Sequence, residues 1–228
     1  MLTDFRGFLL KSATLEYHDY IPVLSLGKKP YKDSQSENLK RAFDLFISFF
    51  AVILLTPVYF LVAIITKLTS KGDVLYSQER IGRWGKSFKI VKFRSMYVNS
   101  ETKGPQLSQG AIDNRITPWG RYMRKTRIDE LPQFFNVLKG DMSLVGPRPE
   151  RQFFIDQIVE RSPDYLRLLS VKPGITSLGQ IHFGYASDVP QMVKRMKFDL
   201  IYLKKYSLKL DIYLLVATAR VIFEGKGQ

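Results

Sequence analysis

The chain contains no cysteine and only two histidines, His18 and His182, in 228 residues. Without cysteine there is no disulfide, no thiolate zinc site and no cysteine nucleophile. Two histidines are too few for a multi-histidine metal site, and they argue against a Ser-His-Asp hydrolase. Any metal ion must be held by oxygen ligands, which favours Mg²⁺, with Mn²⁺ as the alternative.

Two common phosphate-binding motifs are also missing. The sequence has no glycine-rich loop ending in Lys-Ser or Lys-Thr, and no G-x-G-x-x-G follows a predicted strand. P-loop kinase and Rossmann interpretations therefore lose their main support. The opening residues do not resemble a secretory signal, because Asp4 and Arg6 interrupt them and the apolar run Phe8–Leu10 is short. We expect the protein to stay on the cytoplasmic side.

Positive charge is in excess, with 35 Lys and Arg against 21 Asp and Glu and a net charge of +14. Such an excess attracts nucleic acid, anionic lipid or phosphorylated small molecules, and does not choose among them. The hydrophobic content of 45% predicts a folded core. The length suits one domain of ordinary size, alone or with appendages.

One long apolar run, Leu45–Ile65, carries no charge. As a helix it would be about 30 Å long, which matches the hydrocarbon core of a bilayer. Pro57, next to Thr56, lies near its middle and predicts a kink. Basic residues flank the run on both sides, at Lys40, Arg41, Lys67 and Lys71. Since charge then gives no orientation, a spanning helix stays open, but a re-entrant helix that bends at Thr56–Pro57 is favoured.

Two charged residues stand at the entrance of this run. Arg41 and Asp44 are three positions apart, so they could pair where the helix meets the lipid headgroups. Alternatively, Asp44 is an acidic residue favoured by the helix dipole near the N-terminus.

Short β-rich runs and turn residues predict the remaining local structure. Ile21–Leu26 could be a strand, and Lys28–Ser36 indicates a linker. Val74–Tyr76 and Phe88–Phe93 predict a hairpin across two glycines, and Glu101–Asn114 predicts a loop.

Helices are expected at about Thr117–Thr126, Asp129–Lys139 and Glu150–Arg161, with Pro132 accommodated in a first turn. The C-terminal Val189–Phe223 alternates apolar and basic residues at helical spacing. Its last part, Tyr206–Phe223, could lie flat on a membrane surface or close the core as an ordinary amphipathic helix.

Two adjacent acids, Asp129 and Glu130, lie within a basic stretch. That stretch contains Arg121, Arg124, Lys125 and Arg127. Cations bind phosphates, and a carboxylate among them can attack phosphorus or hold a metal. Adjacent carboxylates repel each other, so their pKa values can be driven apart and their roles divided. The plainer alternative is that Asp129 caps a helix and Glu130 is a first-turn acid.

Other cations are held by stiff or strand-like segments. Arg148 lies between Pro147 and Pro149, so it could grip a diphosphate bidentately. Lys92 and Arg94 alternate with apolar residues, so both could lie on one face of a strand.

These segments together resemble the bacterial sugar transferases, the monotopic phosphoglycosyl transferases that start lipid-linked glycan assembly. The stretches that carry the resemblance, in order, are Gln78–Gly82, Phe88–Met96, Asp129–Gln133, Asn136–Ser143, Gly146–Pro149 and Lys172–Thr176. Several motifs in one order are specific. The match runs from about Lys40 to the C-terminus.

The resemblance implies transfer of a sugar 1-phosphate from a UDP-sugar to polyprenyl (undecaprenyl) phosphate, with release of UMP. It implies that Asp129 is the nucleophile and contacts Mg²⁺, and that Glu130 supports the attack or deprotonates the lipid phosphate. It assigns phosphate binding to Arg124 and Arg148. We expect Arg80, Lys92, Arg94 and Arg127 to bind the substrate phosphates or the nucleotide together with them. The re-entrant helix, broken here at Thr56–Pro57, is another family feature.

The sequence departs from the family at two places. Ser177–Gln180 stands where many members have Gly-Trp-Ala-Gln, and Gly184–Tyr185 stands where small members place an arginine. Sugar or phosphate contacts are therefore not assigned there. Ile21–Leu24 followed by a linker is similar to the end of the additional N-terminal domain of longer members.

The expected fold class is α+β, a mostly helical membrane-associated single domain. It would combine a re-entrant N-terminal membrane helix, a small β-hairpin and interfacial amphipathic helices. The expected parts are an N-terminal extension and linker at 1–39, the membrane helix at 40–70 and a cytoplasmic catalytic domain at 71–228. The expected location is the cytoplasmic face of the bacterial inner membrane.

A second hypothesis is a membrane-tethered basic module that binds nucleic acid or acidic lipid through Arg121–Arg127 without catalysis. It explains the charge and the anchor, but gives no reason for the acid pair or for the proline-flanked Arg148. We therefore expect a UDP-sugar, polyprenyl phosphate and anionic lipid as partners, and no nucleic acid. The sequence leaves the sugar, the glycan pathway and the oligomeric state open, a homodimer included.

Overall fold

The computed structural model describes residues 14–18, 21–25, 34–98, 100, 104–108 and 113–224. The helices are α1 (Ser34–Leu54), α2 (Thr56–Thr69), α3 (Pro118–Lys125), α4 (Gln133–Lys139), α5 (Gln152–Arg161), α6 (Leu178–His182), α7 (Val189–Lys204) and α8 (Leu208–Phe223). Short 3-10 helices occur at Arg83–Gly85, Ile128–Glu130 and Pro163–Ser170. The strands are β1 (Thr14–His18), β2 (Ile21–Ser25), β3 (Leu75–Ile81), β4 (Ser87–Phe93), β5 (Ser143–Val145) and β6 (Gly174–Thr176).

The strands form three separate two-stranded sheets. β1 pairs with β2 and β3 with β4, both antiparallel, whereas β5 and β6 are parallel. The β3–β4 hairpin confirms the predicted one, with Leu75 opposite Phe93 and Ile81 opposite Ser87. A mostly helical chain with a small hairpin is confirmed, although the sequence indicated neither β1 nor the short β5–β6 pair.

Most helix limits agree with the sequence, and one does not. Helices were expected at Thr117–Thr126 and Glu150–Arg161, where α3 and α5 lie. The single helix expected at Asp129–Lys139 is wrong, because a 3-10 turn ends at Glu130 and α4 begins at Gln133. The acid pair therefore lies on the 3-10 turn and not on α4. The predicted linker lies partly outside the described residues, but its end, from Ser34, is already helical.

The apolar run is bent where the proline predicts. α1 ends at Leu54 and α2 begins at Thr56, and their axes differ by 60°. Pro57 has no N–H to continue the helix, while the Thr56 hydroxyl donates 2.8 Å to the Val52 carbonyl. Among the described residues, no single helix is long and apolar enough to cross a bilayer; α1 and α2 together meet that length and hydropathy as a bent pair.

Each helix of the bent pair exposes one apolar face and packs its other face against the rest of the fold. The exposed apolar residues are Phe46, Phe49, Phe50, Ile53, Leu54, Phe60, Leu61, Ile64 and Leu68. On the other face, Val62 of α2 is buried with Phe93 and Met123. The Tyr59 hydroxyl also donates 2.8 Å to the Leu131 carbonyl, so α2 supports the segment that follows the acid pair.

Buried charged side chains attach the N-terminal half of α1 to the rest of the fold. Lys40 lies 2.7 Å from Asp211 of α8 and 3.7 Å from Asp44, and all three are almost fully buried. Asp44 also accepts from the Leu144 backbone N–H. The pairing expected between Arg41 and Asp44 is wrong, because Lys40 takes that place and Arg41 donates to the Val137 and Leu138 carbonyls at the end of α4.

The C-terminal helix closes the core, which confirms one of the two alternatives left open by the sequence. Leu214 and Asp211 are fully buried, and the Tyr202 hydroxyl donates 2.7 Å to Asp211, so α8 closes the core. The opposite face leaves Ile212, Tyr213 and Val216 exposed. Contact of that face with a membrane stays a prediction.

Replacing Lys40 tests the buried attachment of α1. Lys40→Met keeps most of the side-chain volume but leaves the Asp44 and Asp211 carboxylates without their cation. We expect the free energy of unfolding in detergent to fall by about 3 to 5 kcal/mol, as for other broken buried ion pairs. The control is Arg220→Ala, which removes an exposed pair with Glu224 and should cost less than about 1 kcal/mol. Equal losses in both variants would contradict this role of Lys40.

Candidate active site

The acid pair lies on a short 3-10 turn that is fixed on both sides. Ile128 before it and Leu131 after it pack with the buried Phe93 and Met123. Arg127 begins the turn in a left-handed conformation, with φ at 58°. The side chains of Asp129 and Glu130 are consequently buried, with 5% and 6% of their surface exposed. The sequence-based N-cap role of Asp129 is wrong, because α4 begins four residues later.

Three cations surround Glu130. Lys92 of β4 lies 2.6 Å from its Oε1, and Arg148 lies 3.3 Å from the same oxygen. Arg127 lies 3.2 Å from Oε2. Because these cations come from three different segments, Glu130 joins the hairpin, the 3-10 turn and the Pro-Arg-Pro turn at one point.

Asp129 is in the opposite situation. Its Oδ1 is fully buried and accepts no hydrogen bond from the described part of the chain. A buried carboxylate oxygen without a partner is costly. It is therefore a ready acceptor for a cation or a reacting group.

Their surroundings drive the pKa values of the two acids apart. Burial, and then the charge of Glu130, raise the pKa of Asp129 above its ordinary value. Burial alone would also raise the pKa of Glu130, but Lys92, Arg148 and Arg127 hold it well below its ordinary value. Glu130 is therefore a fixed anion at neutral pH, while Asp129 is the less stabilised anion and the better candidate for chemistry.

Arg124 reaches the site through a close contact of α3. A Cβ on Gly120 would lie 1.9 Å from the Ser95 carbonyl oxygen, so only glycine allows α3 to approach the segment after β4 this closely. One turn later, Arg124 donates to the hydroxyls of Ser95 and Ser108 at 3.0 and 2.9 Å.

The two remaining predicted cations have structural partners. Arg80 donates to the Pro149 carbonyl and to Glu150, each at 3.3 Å. Arg94 donates to the carbonyl of Ser70 at the end of α2, at 2.8 Å. Its Nε and Nη1 atoms are buried without a hydrogen-bond partner in the described residues.

All eight charged residues predicted for the site line one cavity of about 590 Å³. They are Arg80, Lys92, Arg94, Arg124, Arg127, Asp129, Glu130 and Arg148. Arg41, Asp44, Thr56 and Pro57 do not line it, since they belong to the bent pair and its attachment. The structure thus brings together residues that are up to 68 positions apart (148 − 80).

Sequence reasoning missed several residues of the cavity wall. Glu150 and Arg195 pair at 2.5 Å, and the Tyr185 hydroxyl donates 2.7 Å to the Ser108 carbonyl across a loop. Glu150 directly follows the Pro-Arg-Pro segment, which was a usable signal. Nothing in the sequence indicates Arg195, because its partner is 45 residues away.

The described residues of the site could supply part of the ligand set of a Mg²⁺ ion, but not all of it. The described residues hold no group of three His, Cys, Asp or Glu side chains placed as metal ligands. Mg²⁺ is commonly bound by one or two carboxylates together with substrate phosphates and water. The unpartnered Oδ1 of Asp129 suits that arrangement, whereas Glu130 is already neutralised by its three cations.

A protein-family model described as "Bacterial sugar transferase" matches residues 35–225. UDP-N-acetylgalactosamine-undecaprenyl-phosphate N-acetylgalactosaminephosphotransferase of Aeromonas hydrophila is 44% identical over 83% of this chain and 44% of its own length. UDP-glucose:undecaprenyl-phosphate glucose-1-phosphate transferase of Escherichia coli is 37% identical over 99% of this chain and 48% of its own. The undecaprenyl-phosphate galactose phosphotransferase of Salmonella typhimurium is 37% identical over 100% of this chain and 49% of its own length. The chain thus spans about half the length of these relatives.

The depressed pKa of Glu130 gives a pH-dependent stability. Because the folded pKa is below the unfolded one, near 4.5, the ionised side chain stabilises the fold at neutral pH. This contribution declines as pH falls below about 4.5 towards the folded value, by up to about 1.4 kcal/mol per pH unit. We expect Glu130→Gln to be less stable than the wild type at pH 7, and the difference to shrink in acid.

The measurement is denaturant unfolding of both proteins between pH 7 and pH 3. Lys92→Met provides the comparison, because removal of the nearest cation raises the pKa of Glu130 and weakens the same pH dependence. A stability difference between wild type and Glu130→Gln that is constant from pH 7 to pH 3 would contradict the assignment.

Proposed function

Because the chain belongs to the bacterial sugar transferase family, we propose that it transfers a sugar 1-phosphate from a UDP-sugar to polyprenyl phosphate, releasing UMP. The observation that carries the proposal is the buried Asp129 carboxylate, whose Oδ1 has no hydrogen-bond partner among the described residues, beside the neutralised Glu130 in a cation-lined cavity. Relatives named as undecaprenyl-phosphate sugar phosphotransferases support the same substrate pair. Their sugars differ, so the sugar is left open.

In the first step an Asp129 carboxylate oxygen attacks the phosphorus that bears the sugar. The bond from this phosphorus to the bridging oxygen of the diphosphate breaks, and UMP leaves with the electron pair. The product is an acyl phosphate between Asp129 and the sugar phosphate. In the second step an oxygen of the lipid phosphate attacks the same phosphorus, and the Asp129 carboxylate leaves.

Charge is the main obstacle, since an anion must attack an anionic diphosphate. Arg124, Arg127 and Arg148 line the cavity, so they can bind the phosphate oxygens and disperse the charge that develops. Glu130 holds Arg127 and Arg148 in place, and because these cations and Lys92 hold its pKa well below the ordinary value, it is better suited to support the attack in this way than to take the proton of the lipid phosphate. Asp129 would hold Mg²⁺, which supplies further charge neutralisation when bound.

We also propose that α1 and α2 form a re-entrant membrane anchor on the cytoplasmic face of the bacterial inner membrane. The 60° bend, the exposed apolar faces and the basic flanks support it. Such an anchor would place the cavity at the membrane surface, within reach of both a soluble nucleotide and a lipid phosphate.

The alternative of a non-catalytic basic module has less support. It needs an outward-facing basic surface along Arg121–Arg127, but Arg124 and Arg127 both line the cavity. It also leaves the buried acid pair without a role.

Asp129→Asn tests the nucleophile. We expect UMP release from UDP-sugar in membranes with polyprenyl phosphate to fall by about 10⁴-fold or more, as when other nucleophiles are removed. With donor alone, intact-mass analysis of the wild type should show a sugar-phosphate adduct that peptide mapping places on Asp129. The control is Asp164→Asn, an exposed acid outside the cavity, which should retain activity. An adduct on another residue, or turnover by Asp129→Asn, would remove Asp129 from this role.

Labelling of single cysteines tests the membrane topology, since the natural chain has no cysteine. Asn38→Cys places a thiol in the first turns of α1, before its apolar part, and Lys71→Cys places one just after α2; both positions are exposed. For a re-entrant pair, an impermeant maleimide added to spheroplasts should label neither until the membrane is opened. Labelling of only one of the two thiols from outside would show a spanning arrangement instead.

A further inference from the structure

Two cations of the cavity differ from the others in having no carboxylate partner. Glu130 pairs with three cations of the cavity and Glu150 with two. No carboxylate of the described residues lies within ion-pair distance of Arg94 or Arg124, whose hydrogen bonds go to hydroxyl and carbonyl oxygens. Positive charge is therefore left over at this side of the cavity, where it attracts an anion.

The guanidinium of Arg94 is almost fully buried and only partly satisfied. Its Nη2 atom makes both bonds to Ser70, to the carbonyl at 2.8 Å and to the hydroxyl at 3.0 Å. The Nε and Nη1 atoms have no hydrogen-bond partner among the described residues. Because a buried charged group with unmade hydrogen bonds is costly, an anion that reached Arg94 from the cavity would be bound favourably.

An exposed apolar rim lies beside this cation. The rim consists of Leu75, Tyr97 and Val98, which line the cavity although at least half of the surface of each is exposed. A Cβ on Gly72 would lie 2.4 Å from Nη1 of Arg94 and 2.7 Å from Cγ2 of Val98. The cation and the rim therefore approach the same point of the backbone, and a ligand at this corner would meet both.

The rim is also next to the end of α2. This helix ends three residues before Gly72, and Leu68 in its last turn is exposed. The Lys67 ammonium donates 3.3 Å to the Gly72 carbonyl, and the Arg94 N–H donates 2.9 Å to the Val74 carbonyl. These bonds bring the chain from α2 directly to the rim, so the exposed apolar face of the helix continues into an apolar edge of the cavity.

We propose that this corner of the cavity binds the lipid acceptor, with Arg94 on the phosphate of polyprenyl phosphate and the rim on the isoprene units next to it. An anionic head with an apolar tail matches a surplus cation beside an apolar edge. The inference rests on the proposed function for the identity of the lipid, and adds to it a separate place for each substrate.

The two places lie side by side. Lys92 and Arg94 are two residues apart, so they are on the same side of the hairpin and about 7 Å from each other along the chain. Lys92 belongs to the cations around Glu130, together with Arg127 and Arg148. These remain for the donor phosphates, while a lipid phosphate at Arg94 shares the cavity with Asp129 and can approach the reacting phosphorus.

Val98→Ser tests the rim, since an exposed side chain can be shortened without loss of the fold. With the full chain in nanodiscs, we expect the KM for polyprenyl phosphate to rise about 5-fold, from the loss of one or two buried methyl groups. The KM for the UDP-sugar and the burst of UMP with donor alone should stay at the wild-type level. The matched control is Val216→Ser, the same change at an exposed position outside the cavity, which should leave the KM for the lipid unchanged.

Arg94→Gln tests the cation. Glutamine keeps an N–H donor for the Ser70 carbonyl but carries no charge. We expect the KM for polyprenyl phosphate to rise about 10- to 100-fold, as for loss of a hydrogen bond to a charged group, and the donor-only burst of UMP to persist. A burst that falls as much as the transfer to lipid would assign Arg94 to the donor and overturn the proposal.

Photo-cross-linking tests the place directly. A polyprenyl phosphate with a diazirine in its first isoprene unit should label the peptides of Leu75 or Val98 in phosphatidylcholine nanodiscs, and added phosphatidylglycerol should not displace it. Displacement would indicate a general site for anionic lipid and overturn the acceptor assignment. Labelling elsewhere, or an unchanged KM for the lipid in both variants, would also overturn it. A wild type that is labelled at the rim but releases no UMP would overturn the proposed function and leave the lipid phosphate site intact.

Discussion

The site depends on the burial of one carboxylate, Glu130, among three cations. Each cation comes from a segment that could not hold this position alone: a strand edge, a left-handed residue and a proline-bounded turn. In a low-dielectric interior an unpaired charge is very costly, so the anion and its cations stabilise one another's placement. Because these three cations pair with Glu130, the charge of the neighbouring Asp129 must be compensated by another group.

Further side-chain contacts support the residues that surround Glu130. Glu130 orients Arg127 and Arg148, Glu150 follows the turn that carries Arg148, and Arg80 and Arg195 pair with Glu150. Functional groups with a supporting layer of hydrogen bonds keep their geometry better than groups on an unsupported loop. The cavity wall also includes the segment around Ser108, which is joined to the body by Arg124 and Tyr185.

The sequence predicted what local patterns control. The hairpin, the bend at Pro57 and α3 follow from strand propensity, a missing N–H and an N-cap threonine that accepts from the Gly120 N–H. The limits of α4 were missed because the left-handed Arg127 and the packing of Ile128 favour a 3-10 turn over a longer helix. The partner of Asp44 was missed because Lys40 and Arg41 are similarly spaced cations, and only the position of Asp211 on α8 decides between them. Arg195 was missed because a contact between distant segments leaves no periodic pattern in the sequence.

The contact between α2 and the segments of the site limits which parts of the chain can be removed without exposing buried residues. Deleting α1 and α2 would uncover Phe93 and Met123, remove the Tyr59 bond to the Leu131 carbonyl, and leave Asp211 without Lys40. The rest of the fold is thus not separable from α1 and α2, because the inner faces of these helices pack against the segments of the site. A variant with a more polar surface is better sought by keeping both helices and replacing their exposed phenylalanines and leucines with polar residues.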